Sequence, residues 1–109
     1  MATTYKVLGQ LKPTAATNTN LYTVPASTQT VVSSLVISNI TNDATTIYIA
    51  VRPAGAALED KHYIAYNNNL GGFSTRFYTL GITLAATDII TVYDTAGKAS
   101  FNLFGSEIA

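Results

Sequence analysis

The segment "TIYIAVR", residues 46–52, alternates strictly. Ile47, Ile49 and Val51 fall on one side, and Thr46, Tyr48, Ala50 and Arg52 on the other. Period two with one apolar side predicts a half-buried strand. "DIITVYD" (88–94) sets Ile90 and Val92 against Ile89, Thr91 and Tyr93. "KASFNLFG" (98–105) sets Ala99, Phe101 and Leu103 against Ser100, Asn102 and Phe104. "SLVISNI" (34–40) puts Leu35 and Ile37 on one side and Val36, Ser38 and Ile40 on the other, so both sides are expected to be partly covered. "YKVLGQL" (5–11) predicts a looser strand, with Tyr5, Val7 and Leu11 on its apolar side and Lys6, Gln10 and Lys12 opposite. "HYIAY" and "GFSTRFYTLG" supply two further aromatic segments.

Turn chemistry predicts breaks at "KPTAATNTN", "VPAST", "NITNDAT", "RPAGAALEDK", "NNNLGG", "LAATD" and "DTAGK". Strands at such short intervals predict an all-β fold: an antiparallel two-sheet β-sandwich of about seven to eight strands, with jelly-roll or immunoglobulin-like topology. One domain over residues 1–109 is expected, with residues 1–12 an N-terminal arm or an edge strand. Lys12 and Pro25 are placed to blunt sheet edges. The helical turn that the pattern allows is "AALEDK", 56–61, too short to stand as a helix by itself.

Composition changes this picture in one respect. The chain is 48% hydrophobic, enough for a core, yet only 11% charged. An ordinary soluble domain carries roughly 25% charged residues. Six Lys and Arg balance six Asp and Glu. The cations Lys6, Lys12, Arg52, Lys61, Arg76 and Lys98 are scattered, which argues against a nucleic-acid partner, because phosphate binding needs them clustered. Zero net charge works against solubility of a free monomer. Burial of the surface by neighbours resolves this; so do the many hydroxyl and amide side chains. There is no cysteine, which excludes disulfides and thiolate metal sites. No apolar run nears the roughly 20 residues that span a bilayer. "MATTYKVLGQLK" shows no basic start followed by an apolar stretch, so no secretory signal is expected.

Candidate chemistry is sparse. The one histidine, His62, follows Glu59 and Asp60. It reads as a general base or metal ligand on one side, and as a turn-capping residue on the other; without a second ligand at a useful spacing, the turn reading is preferred. Asp88 and Asp94 flank the strand "IITVY". About 20 Å of extended chain separates them, too far for an acid–base pair, so they read as turn-closing residues. No Gly-x-Ser-x-Gly, P-loop or Gly-x-Gly-x-x-Gly pattern occurs. "LGGFS" (70–74) reads as a turn, and "NIT" (39–41) is a lone glycosylation-type match. No catalytic residue, cofactor or metal site is assigned. Tyr48 and Tyr93 fall on the less apolar sides of their strands. Three readings fit them: pairing across strands within the fold, anchoring a neighbouring subunit, or a platform for sugar rings.

The stretch "LYTVPASTQTVVSSLVISN" resembles small virion structural proteins of tailed bacteriophages, including cyanophages and other aquatic phages. The resemblance continues through "YIAVRPAGAALEDKHYIAY" and closes with "LGITLAATDIITVYDTAGKASFNLFGSEI". It is carried by Leu21, Tyr22, Val24 and Pro25; by Arg52, Pro53, Gly55 and Ala56; by Leu84 and Asp88; and by Phe101, Gly105 and Glu107. It departs at "LAATD", where Thr87 stands at a position that many such proteins give to Gly. The resemblance implies a non-enzymatic building block of the virion, held by capsid, neck, tail or baseplate proteins. Assembly in the host cytoplasm as a homo-oligomer is expected with it, and the scattered cations and the lack of an apolar span lead to the expectation of no nucleic-acid or membrane partner. Tyr48 and Tyr93, with Arg52 and Arg76 as polar anchors, are the expected protein contacts, and residues 1–12 and "FGSEIA" the expected docking segments. The alternative is a receptor- or glycan-binding module of a tail fibre, which expects aromatics clustered near residues 67–73. A small β-barrel enzyme would need a catalytic partner beside His62.

Overall fold

The computed structural model describes residues 2–109, and within them eight strands form two four-stranded sheets. They are β1 (Thr3–Leu11), β2 (Thr19–Thr23), β3 (Gln29–Asn39), β4 (Thr45–Arg52), β5 (Tyr63–Leu70), β6 (Thr75–Leu84), β7 (Ile89–Asp94) and β8 (Ala99–Ile108). The first sheet has the order β1-β8-β3-β6 and the second β2-β7-β4-β5, with every pairing antiparallel. β1 pairs with β8, β2 with β7, β3 with β6 and β4 with β5. The chain is therefore one long antiparallel ribbon wrapped into two layers, which is the jelly-roll alternative and not the immunoglobulin-like one.

The alternating residues read from the sequence meet between the layers. Leu35, Ile37, Phe101 and Leu103 from the first sheet are fully buried against Ile47, Ile49, Ile90 and Val92 from the second. Each such side chain contributes about 1.5–3 kcal/mol by leaving water.

Polar links join the sheets at both edges. At one, the Tyr22 hydroxyl donates to Glu107 Oε2 (2.5 Å) and lies 2.7 Å from Thr30 Oγ1, while Lys6 Nζ donates to Glu107 Oε1 (3.1 Å). At the other, Arg76 Nη2 donates to the Asn69 carbonyl (2.9 Å) and Asn68 Nδ2 to the Tyr78 hydroxyl (2.7 Å). Both links bridge β6 and β5, the edge strands on that side.

Three expectations are corrected. Residues Thr3–Leu11 form an edge strand on β8, but with Tyr5 and Val7 facing outward, 85% and 46% exposed, and Leu8 buried. The register shifts between Val7 and Gly9, which reverses the phase midway. Gly9 is needed there, because a Cβ would sit 2.4 Å from the Leu21 carbonyl oxygen. The segment "NNNLGG" is not a break. β5 runs through Asn67–Asn69 to Leu70, and the turn follows it. In place of a helical turn over 56–61, two short 3-10 turns occupy Pro53–Gly55 and Asp60–His62.

Candidate functional site

Two outer faces remain once the core is filled, and they differ in chemistry. The outward residues of the first sheet line up in five rows across its strands. These are Thr3–Ile108–Gln29, Tyr5–Ser106–Val31–Thr83, Val7–Phe104–Ser34–Thr79, Gln10–Asn102–Val36–Phe77 and Ser100–Ser38–Thr75. None of these residues is charged. Lys6, Arg76 and Glu107 of the same strands sit in the intervening rows, opposite Gly105, Ile37 and Thr30. Phe77 is 71% exposed, and Val31 is exposed as well. Tyr5, Lys6, Val31, Phe104 and Ser106 are among the residues lining a shallow groove across this face, so the Lys6 side chain borders the uncharged rows.

The outer face of the second sheet is roofed by its own side chains. Tyr48 and Tyr93 are direct register partners on β4 and β7, with ring centroids 5.2 Å apart at 87°. β5 adds two rings. Tyr48 meets Tyr66 at 4.8 Å and Tyr63 at 6.2 Å, and Tyr63 meets Tyr66 at 4.9 Å, all edge-to-face. Such pairs contribute about 0.5–1.5 kcal/mol each beyond area burial. The four rings and Asn18 line a depression of about 240 Å³. The Tyr48 hydroxyl donates to Asn67 Oδ1 at 3.3 Å. Tyr63 and Tyr66 also line a neighbouring depression of about 400 Å³ with Asp60. Burial, followed by nearby tyrosines and Asp60, pushes the Tyr63 hydroxyl above its ordinary value of 10.

Tyr63 and Tyr66 share a face because β5 is irregular. Its pairing with β4 shifts between Ala50–Tyr63 and Ile49–Ala65, and again before Ile47–Asn68. The first shift inserts one extra residue between Tyr63 and Ala65 and returns Tyr66 to the side of Tyr63. Strict alternation would have set the two rings on opposite faces. The aromatic richness of "HYIAY" was the signal; its phase was not.

The four expected contact residues part company. Tyr48 and Tyr93 are brought together. Arg52 lies on the same face, where its guanidinium is engaged within the chain. Nε donates to the Ala56 carbonyl (2.7 Å), Nη2 to the Gly55 carbonyl (3.2 Å), and Nη1 to Asn20 Oδ1 and Thr91 Oγ1 (both 3.2 Å). Arg76 stands on the other sheet, bonded to β5. The uncharged rows of the first sheet were missed, because Tyr5 and Val7 were assigned inward.

His62 is 7% exposed, and its Nδ1 accepts the Glu59 backbone N–H at 3.0 Å, closing the 3-10 turn. Asp88 accepts from the N–H groups of Ala54 and Ala85, both at 2.8 Å. Asp94 is fully buried and accepts from Ala96, Gly97, Lys98 and Ala99 N–H and from the Thr45 hydroxyl. Both aspartates thus close turns. Among the described residues, no three His, Cys, Asp or Glu side chains are grouped to hold a metal ion. No helix there is long and apolar enough to cross a membrane.

No family model matches the sequence, and no curated protein does. Among solved structures, the chain is similar to one in the structure of infectious bursal disease virus Gt strain: 13% identity and a TM-score of 0.47, over 96% of this chain and 32% of that one. A chain in the Gx strain structure gives 12% identity and a TM-score of 0.46, over 97% and 31%. This protein spans about a third of the length of those chains. At that identity and score the likeness carries no inference about function.

Proposed function

We propose that this protein is a non-enzymatic structural protein of a tailed-phage particle, decorating the capsid or seated at the neck, tail or baseplate. It acts through protein–protein contacts made by the outer face of the first sheet. The observation that carries this reading is the five rows of outward residues, none of them charged. A solvent-facing antiparallel sheet ordinarily alternates apolar-in with polar-out, and charges hold water on the outer side. Here the outer side presents Tyr5, Val7, Val31 and Phe77 among Ser, Thr, Asn and Gln. A second protein covers those rows without desolvating an unpaired ion, since Lys6, which borders their groove, is paired with Glu107.

Magnitude refines the reading. Four strands about 4.8 Å apart, with rows about 7 Å apart, make a face of roughly 600 Å². Stable complexes bury about 800 Å² per partner. The face alone therefore supports a weak pair. Many copies on a particle, each adding a second contact, make the attachment firm. Concentration-dependent self-association in free solution and tight retention on the particle follow from this.

The test is particle content. Particles purified from an infected culture are analysed by mass spectrometry, with wild-type protein or Phe77→Glu supplied in trans. Wild type is expected in fixed proportion to the major capsid protein, and Phe77→Glu at a strongly reduced level. Wild-type protein found only in the soluble lysate sinks the reading.

A further inference from the structure

We propose that the tyrosine-walled depression on the second sheet is a binding site for a neutral oligosaccharide, with one sugar ring seated against Tyr66. This goes beyond the structural role above and does not depend on it, since the two use opposite faces of the sandwich.

Three observations select the ligand. The first is ring arrangement. Tyr48 meets three rings edge-on, and Tyr63 meets Tyr66 in the same way. In an edge-to-face contact the hydrogens of one ring cover the face of another. The cluster therefore spends much of its ring surface on itself and is held stiff. Tyr66 stays 62% exposed, and its free apolar surface, on which a ligand can stack, opens on the side of the adjoining depression that it lines with Tyr63 and Asp60.

The second is polarity. The depression is lined by four tyrosines and Asn18, so its functional groups are phenol hydroxyls and a carboxamide, which both donate and accept. A pyranose matches this pairing, with an apolar C–H face to lie on Tyr66 and hydroxyls around its rim for the polar groups. A quaternary ammonium ion needs open ring faces around it, and these rings cover one another.

The third is charge and size. No lining side chain carries a formal charge at neutral pH. Arg52, the cation that β4 places on this face, is bonded to Asn20, Thr91, Gly55 and Ala56. An acidic sugar thus has no counter-charge here. The volume of about 240 Å³ lies below the roughly 300–1,000 Å³ of pockets for drug-sized ligands. It seats one ring. The adjoining depression of about 400 Å³, with Asp60, receives the next, the carboxylate accepting from sugar hydroxyls.

The test uses the full chain on an array of neutral and acidic oligosaccharides. Saturation-transfer NMR with maltotriose, cellotriose and tri-N-acetylchitotriose follows. The chain has seven tyrosines and no tryptophan, so tyrosine emission gives an independent titration. Binding of a neutral oligosaccharide with a dissociation constant of about 1 mM or tighter is expected. Tyr66→Ala is expected to weaken it at least about tenfold, and Tyr66→Phe to hold it within about threefold. Circular dichroism checks that both variants fold; Tyr66 is exposed on an edge strand, and Tyr93→Phe, which removes one hydroxyl and no ring, serves if Tyr66→Ala does not. Three outcomes overturn the proposal: no binding to any neutral oligosaccharide, equal binding by wild type and Tyr66→Ala, or tetramethylammonium displacing the sugar from the same rings.

Discussion

Tyr22 of β2 donates its hydroxyl to Glu107 of β8 across the sandwich at 2.5 Å, joining the two sheets at the edge where β1 and β2 lie. The bond bears on the protonation of both groups. The Tyr22 hydrogen bond, with help from Lys6 and against partial burial, holds the Glu107 carboxyl below its ordinary 4.5. Burial, then the bond to Glu107, pushes Tyr22 up to about 12.

The two shifts predict opposite ends of a stability–pH curve. Folded Glu107 binds its proton less readily than the unfolded chain does. Its contribution is present above the ordinary glutamate range and is lost as pH falls through the lowered folded value. Folded Tyr22 keeps its proton when the unfolded chain has released it. Its contribution is full below pH 10 and is lost as pH rises from there toward about 12. Urea unfolding at a series of pH values should show both losses, and Glu107→Gln should flatten the acid limb. An acid limb unchanged by Glu107→Gln would show that the link does not act this way.

Asp94 predicts a larger effect at neutral pH. It answers four backbone N–H groups at the turn between β7 and β8 while fully buried. Asp94→Asn places an NH₂ group against donors in either orientation of the amide. A loss of about 2–3 kcal/mol is expected, since each unanswered buried group costs about 1–3 kcal/mol. Chemical denaturation measures it; a loss under about 0.5 kcal/mol, the size of an ordinary surface change, would contradict the geometry.

Thr87 sits at φ 70°, in the left-handed region, where its branched side chain is strained. The resemblance to phage proteins expects Gly at this position. Thr87→Gly should raise stability by about 1 kcal/mol, the strain relieved less the added freedom of the unfolded chain. A thermal midpoint higher by about 4–8 °C would register it. An unchanged or lower midpoint would mean that the turn carries no strain.

Charge placed on the uncharged face separates folding from assembly. Phe77→Glu and Val31→Glu are both solvent-facing changes. Each is expected to alter stability by about 1 kcal/mol or less. Self-association measured by light scattering over a concentration series should fall sharply in both. If both variants associate as wild type does, the face is not the contact surface.

Much of the fold was legible because a strand writes its environment directly into its sequence. Ile47 and Ile49, Ile90 and Val92, and Phe101 and Leu103 stand two residues apart on their strands, and each lies in the core. Turn residues such as Asp88 and Asp94 were legible for the same local reason: a side chain closes a turn with its own near neighbours. The surfaces were less legible. Alternation tells two sides apart but says nothing of an inserted residue, and both surfaces depend on one. A shift at Val7–Gly9 turns Tyr5 and Val7 outward, and a shift beside Tyr63 gathers four rings.

The sequence by itself therefore determined the class of fold, the buried residues of the central strands β3, β4, β7 and β8 and the sparseness of charge, because apolar periodicity and composition are properties of the chain. It left jelly-roll and immunoglobulin-like orders open, since both bury the same alternating residues. Only the tertiary structure decided that β1 lies on β8 and β4 beside β7, so that Tyr48 faces Tyr93. Strand order and bulges are settled by how two whole sheets close over one core, with every hydrogen-bonded neighbour except the β4–β5 pair supplied from far along the chain.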